Sequence, residues 1–472
     1  MACQGALTCS THAGFQAPGP LVKQLKDALE QRGRLNKGKK ISPTSAGSKI
    51  FIVPSTFPLG SESAEEDASV FLKELGFDGS VGITFLQGTV LDEQTKETPL
   101  EAATREWFSF IRKASELPEE LNLQILLTAL PKKYNTYEPM LLLPQSAFNF
   151  KEWQSCFHTV GAEAQQRLFE SICTQMQVTH IARNAPIPLA TSSSENILRS
   201  PSNIEPLHGD FGPEALTTTP TASDFSLALW VRAKQNDIMQ IWAPRYTMFS
   251  RGNVTEKARI LAMPSVRDAV AAAGGACAAV DLYAGIGYFT FSYLAAGFAK
   301  VLCWDLNPWS IEGFRRGAMA NKWRVEVLTD AGEEKVRDAL TDGAVRALAF
   351  CESNEYALER IENARQHIPP VRHVNCGLLP TSKGSWRTAA RALDPRLGGW
   401  AHVHENFAVD EIEQRAEEVR LAFQNLVEEM DETHGHQVGS RRVEIEHIQR
   451  VKSYAPGVFH VVVDIHVAAA TA

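Results

Sequence analysis

The stretch that most constrains the fold is residues 280–309, VDLYAGIGYFTFSYLAAGFAKVLCWDLNPW. An apolar run ends at Asp281 and is followed by Gly285 and Gly287, which let the backbone turn tightly and pass close to a ligand. The residues that follow are apolar at helical spacing, and a second apolar run ends at Asp305. This order predicts half of a nucleotide-binding α/β unit, in which the second acid can accept hydrogen bonds from both ribose hydroxyls.

The glycine loop departs from the dinucleotide pattern G-x-G-x-x-G at its third position, which is Thr290. The acid before the loop, Asp281, would repel a pyrophosphate but suits a ligand with an ammonium or sulfonium group. These two features favour S-adenosylmethionine over a nicotinamide dinucleotide. The alternative is a plain βαβ unit whose glycines only serve a turn.

The composition is that of an ordinary globular protein. The chain has 472 residues, 44% hydrophobic and 22% charged, and a net charge of −8. Its length predicts two to four domains, and its acidity means that a nucleic acid would have to be held by local basic patches. Eight scattered cysteines without a C-x-x-C pair favour a reducing, cytoplasmic compartment and argue against a zinc site. No apolar run is long enough for a membrane span.

Regular alternation of strand and helix patterns predicts an α/β fold in the C-terminal half. From about residue 278 onward it predicts a doubly wound, mostly parallel, seven-stranded sheet of the class I methyltransferase type, ending in an antiparallel hairpin. Residues 325–328 and 347–351 compete for the third strand. We expect smaller α/β or α+β domains before it. The predicted divisions are a flexible tail and short helix (1–48), a small α/β domain (49–150), a middle domain (151–262) and a catalytic domain (263–472).

Five separated segments carry a resemblance to a known family: FSRGNVTEKARI, DLYAGIGYFT, DLNPWSIEGFRRGAMANKW, NCGLLPTS and HVHENF. In this order they resemble the tRNA wybutosine-synthesizing protein 2 family, in its fungal form. The resemblance implies transfer of the 3-amino-3-carboxypropyl group of S-adenosylmethionine to 4-demethylwyosine, the tricyclic base beside the anticodon of tRNAPhe. It further implies that methylthioadenosine is released. We expect the middle domain to serve RNA docking and access to the cofactor site, and the chain to work as a monomer without a metal.

The resemblance also implies which residues bind the cofactor. Asp305 falls at the ribose position, and Lys257 suits the methionine carboxylate as a charge-assisted pair. The adenine contact lies within Glu352–Ser353–Asn354, uncertain by one residue. No catalytic residue is assigned. The complete set of predicted cofactor-binding residues is Ser250, Lys257, Asp281, Tyr283, Gly285, Gly287, Asp305, Asn307, Glu352, Ser353, Asn354 and Asn375.

The same fold can serve two reactions, because the carbon that reacts is the one presented in line with the nucleophile. Amino-methyltransferases carry N-P-P-[YF] or a similar turn where this chain has NCGLLP, which favours the aminocarboxypropyl branch. Two alternatives stay open: a tRNA guanosine-N1 methyltransferase, and a non-catalytic relative that only binds RNA. The intact acids and glycines of the loop argue against the second.

Two further groups of polar residues have open roles. His402 and His404 are two residues apart on one strand face, and hydrogen-bonded structural histidines are favoured over a metal site. With Glu405 and Asn406, His404 is a candidate for the pocket wall. A second group either tracks tRNA phosphates or forms solvated faces. It comprises residues 32–40, Arg315, Arg316, Arg324, Arg387, Arg391, Arg396, Arg441, Arg442, Arg450 and Lys452.

Overall fold

The chain divides into two compact units, Met1–Thr98 and Pro99–Ala472. The computed structural model describes residues 11–36, 40–45, 48–59, 62–77, 79–86, 97–114, 121–184, 204–214, 219–249, 251–434 and 441–470. The division at residue 98 differs from the boundaries at 48 and 150 that the sequence suggested. Ser250, one of the predicted cofactor residues, lies outside the described residues.

The first unit is a four-stranded antiparallel sheet with two helices, in the strand order β2-β3-β1-β4. Where the sequence suggested a flexible tail, β1 is a strand, because Phe15 and Ala17 alternate into the core and are fully buried. The elements are β1 (Thr11–Pro18), α1 (Gly19–Gln31), β2 (Ser42–Pro43), β3 (Ile50–Leu59), α2 (Glu62–Glu74) and β4 (Gly82–Leu86). Within the basic run 32–40, residues 34–36 pair with β3, and residues 37–39 lie outside the described residues.

The second unit begins with helices that cover a small mixed sheet, in the order β5-β6-β7-β8, and continues into the two-stranded ribbon β9-β10. The ribbon is a hairpin across KQND, and Asn236 and Asp237 both have positive φ there, as a tight hairpin turn requires. The elements are α3 (Pro99–Ala114), α4 (Leu123–Thr128), β5 (Asn135–Tyr137), β6 (Met140–Leu143), α5 (Lys151–Met176), β7 (His180–Asn184), β8 (Ile204–His208), α6 (Ala222–Leu227), β9 (Val231–Gln235) and β10 (Ile238–Trp242).

The rest of the second unit is the predicted doubly wound α/β domain. Its sheet has the order β13-β14-β12-β11-β15-β16-β18-β17. The strands pair in parallel, except that β18 is antiparallel to both of its neighbours, β16 and β17. The elements are α7 (Val254–Ala262), α8 (Pro264–Ala272), β11 (Ala278–Asp281), α9 (Thr290–Ala296), β12 (Lys300–Trp304), α10 (Pro308–Ala320), β13 (Arg324–Leu328), α11 (Glu333–Thr341), β14 (Val345–Phe350), α12 (Ala357–Ala364), β15 (Val371–Cys376), α13 (Trp386–Ala392), β16 (Gly399–Ala408), α14 (Ile412–His434), β17 (Val443–Ala455) and β18 (Val458–Val467).

The fold class is confirmed, but the sheet has eight strands rather than the predicted seven. The two runs that competed for the third strand are both strands, β13 and β14, and they pair in parallel. They can do so because α11 lies between them and provides the crossover that parallel strands need. β13 takes the edge position, where Arg324 and Glu326 are tolerated because only one neighbour strand covers them.

Two apolar layers cover the sheet, one on each face. Val280, Leu302 and Val374 belong to one layer, and Ala279, Val301 and Cys303 belong to the other. The strand residues therefore alternate between two buried faces, as parallel sheets require. Because β11, β12, β14 and β15 run in parallel, the polar residues at their carboxyl ends meet along one edge, where ligands of such sheets bind.

The described residues show neither a membrane-spanning helix nor a metal site. Among the described residues, no helix has the length and apolar character needed to cross a bilayer. Within the same part of the chain, no group of three or more His, Cys, Asp or Glu side chains is arranged to hold a metal ion.

Candidate nucleotide-binding site

The glycine loop between β11 and α9 adopts a backbone that only glycine accommodates at one point. Gly287 has φ +92°, and a Cβ atom there would lie 2.6 Å from the ring of Phe291. Gly285 also has positive φ, and a Cβ atom there would lie 2.9 Å from the ring of Tyr288. The glycines thus allow the loop to fold down onto its own helix.

Asp281 lies beneath this loop, fully buried at the end of β11. Its Oδ2 accepts hydrogen bonds from the backbone N (3.0 Å) and Oγ1 (2.8 Å) of Thr290, and its Oδ1 accepts one from Nδ2 of Asn375 (3.0 Å). Burial raises the pKa of the Asp281 carboxyl, although these hydrogen bonds oppose the rise. The carboxylate therefore occupies the N-terminus of α9, where a dinucleotide would place its pyrophosphate.

Asp305 follows β12 and reaches back to the glycine loop. Its Oδ2 accepts a hydrogen bond from the backbone N of Gly285 (2.8 Å), and its Oδ1 accepts one from the backbone N of Asn307 (2.8 Å). Asn307 itself caps α10 and is buried, with its Nδ2 donating to the carbonyl of Tyr246 (3.1 Å). The structure thus places Asp305 at the rim of the loop and Asn307 in a supporting position behind it.

The segment after β14 approaches the loop through one of its three predicted residues. Nδ2 of Asn354 donates to the carbonyl of Leu282 (2.8 Å). Ser353 instead caps a short 3-10 turn, and Glu352 pairs with Arg360 at 2.9 Å. Of the three, Asn354 is the one that contacts the strand–loop junction after β11, where Tyr283 lies half-buried.

Lys257, on α7, is the most unusual charged group near the loop. It is 3% exposed, and its Nζ donates to Oε1 of Gln235 (2.5 Å) and Oε1 of Gln240 (2.7 Å). The ring of Tyr288, from the glycine loop, lies 5.3 Å from the same Nζ. No carboxylate of the described residues forms an ion pair with it, and burial lowers the pKa of Lys257 to about 7.

The two glutamines that hold Lys257 were missed at the sequence level. They lie on β9 and β10, the hairpin before the FSRGNVTEK segment. Gln240 is 1% exposed within the otherwise apolar strand IMQIW. A buried amide in an apolar strand needs a hydrogen-bond partner, and this was the signal that could have identified it.

The HVHENF strand, β16, supports the NCGLLPTS segment and touches the loop. Oε1 of Glu405 accepts hydrogen bonds from the backbone N (2.8 Å) and Oγ (3.1 Å) of Ser382, and burial raises the pKa of the Glu405 carboxyl. The backbone N of Asn406 donates to the carbonyl of Pro380 (2.9 Å). His404 packs against the ring of Phe289 in the loop, with ring centroids 5.1 Å apart.

Most of the basic residues singled out by sequence are paired with neighbouring carboxylates. Arg441 is buried and pairs with Asp431 at 2.7 Å, so it is a structural residue and not an RNA contact. Six more form ion pairs with a carboxylate within 4 Å: Arg315, Arg316, Arg324, Arg387, Arg391 and Arg396. Arg442 pairs with Glu444. Arg450 is exposed and has no carboxylate partner among the described residues.

Comparison with known proteins places these features in a family. No family model matches the chain. The chain is 38% identical over 336 residues to tRNA wybutosine-synthesizing protein 2 of Schizosaccharomyces pombe, covering 71% of this chain and 72% of that protein. It is 32% identical over 406 residues to the protein of that name from Saccharomyces cerevisiae, covering 77% and 80%.

Solved structures give a further likeness. The crystal structure of Pyrococcus horikoshii TYW2 in complex with MeSAdo is 19% identical, has a TM-score of 0.46, and covers 77% of this chain and 99% of that one. On the two fungal sequence matches, which each cover more than two thirds of this chain, the chain belongs to the tRNA wybutosine-synthesizing protein 2 family.

Proposed function

We propose that this chain transfers the 3-amino-3-carboxypropyl group of S-adenosylmethionine to the tricyclic wyosine-precursor base of tRNAPhe, releasing methylthioadenosine. The observation that carries the proposal is the buried ammonium group of Lys257. It is held by two amide oxygens and has no carboxylate partner among the described residues. A buried cation without an anionic partner is costly, so the site fits a ligand that brings its own carboxylate.

Different residues around the loop bind different parts of the donor molecule. Asp305 at the loop rim accepts hydrogen bonds from the ribose hydroxyls, and Asn354 and Ser353 lie on the side of the adenine. Lys257 binds the carboxylate of the methionine arm. Bound S-adenosylmethionine supplies an electrophilic γ-carbon beside its sulfonium, and substitution at that carbon releases methylthioadenosine. Anchoring both ends of the donor fixes which of its carbons is presented to the base.

The NCGLLPTS segment supports this reaction over methyl transfer. In the methyltransferase pattern, the asparagine after this strand turns its carboxamide toward a target amine. Here the Nδ2 of Asn375 donates to Asp281, directly across from it on β11. Glu405 holds the following residues, Thr381 and Ser382, against β16. The amide nitrogen of Asn375 is thus engaged by the loop support, and the run NCGLLP lacks the Asn-Pro start of the methyltransferase pattern.

The proposal also covers the RNA partner of the chain and the compartment in which it acts. We propose that the acceptor lies in the anticodon region of tRNAPhe, where the target base is already unpaired and costs little to extrude. The chain acts as a monomer in the cytoplasm. The described cysteines support a reducing compartment, since Cys156, Cys173, Cys277, Cys303 and Cys376 are buried free thiols.

One incubation tests the proposal. The protein is mixed with precursor tRNAPhe and S-adenosylmethionine labelled either in the carboxyl carbon or in the methyl carbon. We expect carboxyl label in the tRNA, no methyl label, and methylthioadenosine as the co-product. Methyl label in the tRNA with S-adenosylhomocysteine would instead establish a methyltransferase. Tight tRNA binding without either co-product would establish a non-catalytic relative. Precursor tRNA lacking the tricyclic base is the matched control.

A further inference from the structure

The helix that carries Lys257, α7, is short and has no side-chain cap at its N-terminus. α7 spans nine residues, and its N-cap, Asn253, makes no side-chain capping hydrogen bond. A helix of this length is marginal by itself, so its placement depends on tertiary contacts. Its apolar anchor is Ile260, which is buried in the layer on that face of the sheet. Leu261 packs against the same layer. The polar side chains of α7 add contacts that can fix its rotation about its axis.

A buried chain of ion pairs ties α7 to the sheet. Arg259 pairs with Glu256, one turn earlier, at 2.6 Å, and with Asp464 on β18 at 2.5 Å. The Glu256 and Asp464 side chains are 1% and 2% exposed. Burial alone would raise the pKa of Asp464, but the charges and hydrogen bonds of His402 and Arg259 outweigh it and hold the pKa well below its usual range.

The chain of contacts continues across three strands. Oδ1 of Asp464 lies 2.7 Å from Nδ1 of His402 on β16, and Nε2 of His402 lies 3.0 Å from Nδ1 of His373 on β15. His402 and Asp464 are direct cross-strand partners. Arg259 is thus held by a carboxylate whose own position is fixed by the pairing of the sheet.

Stability alone does not explain such an arrangement. Replacing a buried ion pair by well-packed apolar residues is often neutral or stabilising, so retention of the charges points to a geometric role. The chain offers a comparison, because Arg441 and Asp431 form a second buried Arg–Asp pair, 3% and 0% exposed, between α14 and the start of β17. That pair has the same chemistry but no contact with α7.

We infer that Glu256, Arg259 and Asp464 are positioning residues that set the rotation of α7 and thereby place the Lys257 ammonium for the donor carboxylate. This inference rests on the proposed function. Lys257 follows Glu256 directly on the same helix. A rotation of about 20° would move an atom about 5 Å from the helix axis by about 2 Å. In catalysis, a misplacement of about 1 Å can cost about 100-fold in rate, so a positioned contact depends strongly on such a shift.

The test compares two ligands and two buried pairs. Asp464→Asn and the control Asp431→Asn are measured for their dissociation constants with S-adenosylmethionine and with methylthioadenosine, which lacks the carboxylate. We expect Asp464→Asn to weaken S-adenosylmethionine binding at least about tenfold while changing methylthioadenosine binding less than about twofold. Asp431→Asn should lower the unfolding temperature without changing the ratio of the two constants. Equal ratios in both variants would overturn the inference.

Two further variants separate a failure of the positioning role from a failure to fold and from a failure of the Lys257 contact itself. If Asp464→Asn does not fold, Arg259→Lys keeps the charge but loses the fork that grips both carboxylates, and it should change the ratio in the same direction. Lys257→Met tests the underlying contact. If it changes the ratio and neither network variant does, the positioning role is wrong and the proposed function stands. If Lys257→Met leaves the ratio unchanged, the contact itself is wrong and the inference falls with it.

Discussion

Substituting Lys257 by methionine should lower donor affinity and raise stability at the same time. Methionine keeps most of the length of the lysine stem but carries no charge. Loss of a buried partner to a carboxylate costs about 3 kcal/mol, which is about a 100-fold rise in the dissociation constant for S-adenosylmethionine. Methylthioadenosine has no carboxylate, so its dissociation constant should change less than about threefold.

The stability gain follows from the pKa. Lowering the pKa of Lys257 from 10.5 to about 7 means that the folded chain disfavours the ammonium form relative to the unfolded chain. At pH below 7 this disfavours folding by on the order of 5 kcal/mol as an upper estimate. The unfolded chain binds the proton more tightly between pH 7 and 10.5, so this cost shrinks as pH rises through that window. Removing the charge removes this cost, and the Oε1 atoms of Gln235 and Gln240, which lose their donor, offset part of the gain.

Two measurements check these effects. Titration calorimetry at pH 6 to 9 should give a dissociation constant for S-adenosylmethionine that rises above about pH 7 in the wild type. The Lys257→Met profile serves as the baseline, because it contains the ionisation of the ligand alone. Thermal unfolding of the ligand-free proteins should show the variant melting higher at pH 6.5, with a smaller difference at pH 9. A variant that binds S-adenosylmethionine as tightly as the wild type, or that melts lower at pH 6.5, would refute the reasoning.

Three further substitutions have distinct expected results. Asp305→Ala should weaken both S-adenosylmethionine and methylthioadenosine by at least about tenfold, since both carry the ribose; unchanged binding of either would contradict the assignment. Gly287→Ala forces a side chain into positive φ against an aromatic ring, and thermal unfolding should report a loss of about 2–4 kcal/mol. Arg450→Gln should reduce the salt dependence of tRNA binding by about one unit of slope in a filter-binding assay, whereas Arg391→Gln, whose guanidinium already has a carboxylate partner, should not.

The parts of the site that sequence could predict are those built within one βαβ unit. Asp281, the glycines and Asp305 lie within one strand–loop–helix–strand stretch, so their order along the chain fixes their neighbourhood in space. The alternation of strands and helices along the chain followed from apolar periodicity for the same reason. The error in strand number was also local. Residues 324–345 form an added edge strand, β13, and the crossover helix α11, so both apolar runs are strands of the same sheet.

The parts that sequence could not predict depend on partners far along the chain. Lys257 stood out as a cation, but its amide partners come from a hairpin about 20 residues earlier, and no pattern says which side chain faces it. The role of the arginines stayed open at the sequence level for a related reason. Arg387 pairs with Glu429, 42 residues away, and a sequence lists charges without saying which of them meet.

The paired arginines have a consequence for how such an enzyme finds its substrate among competing nucleic acids. A cell holds ribosomal and non-cognate transfer RNA in great excess over any one modification intermediate, and exposed cations would attract all of it alike. On the faces of Arg387 and Arg391, the adjoining carboxylates cancel much of the positive field at distances larger than the separation of each ion pair. Bulk RNA is therefore a poor competitor there, and selection falls to short-range contacts made only when the correct base enters the site.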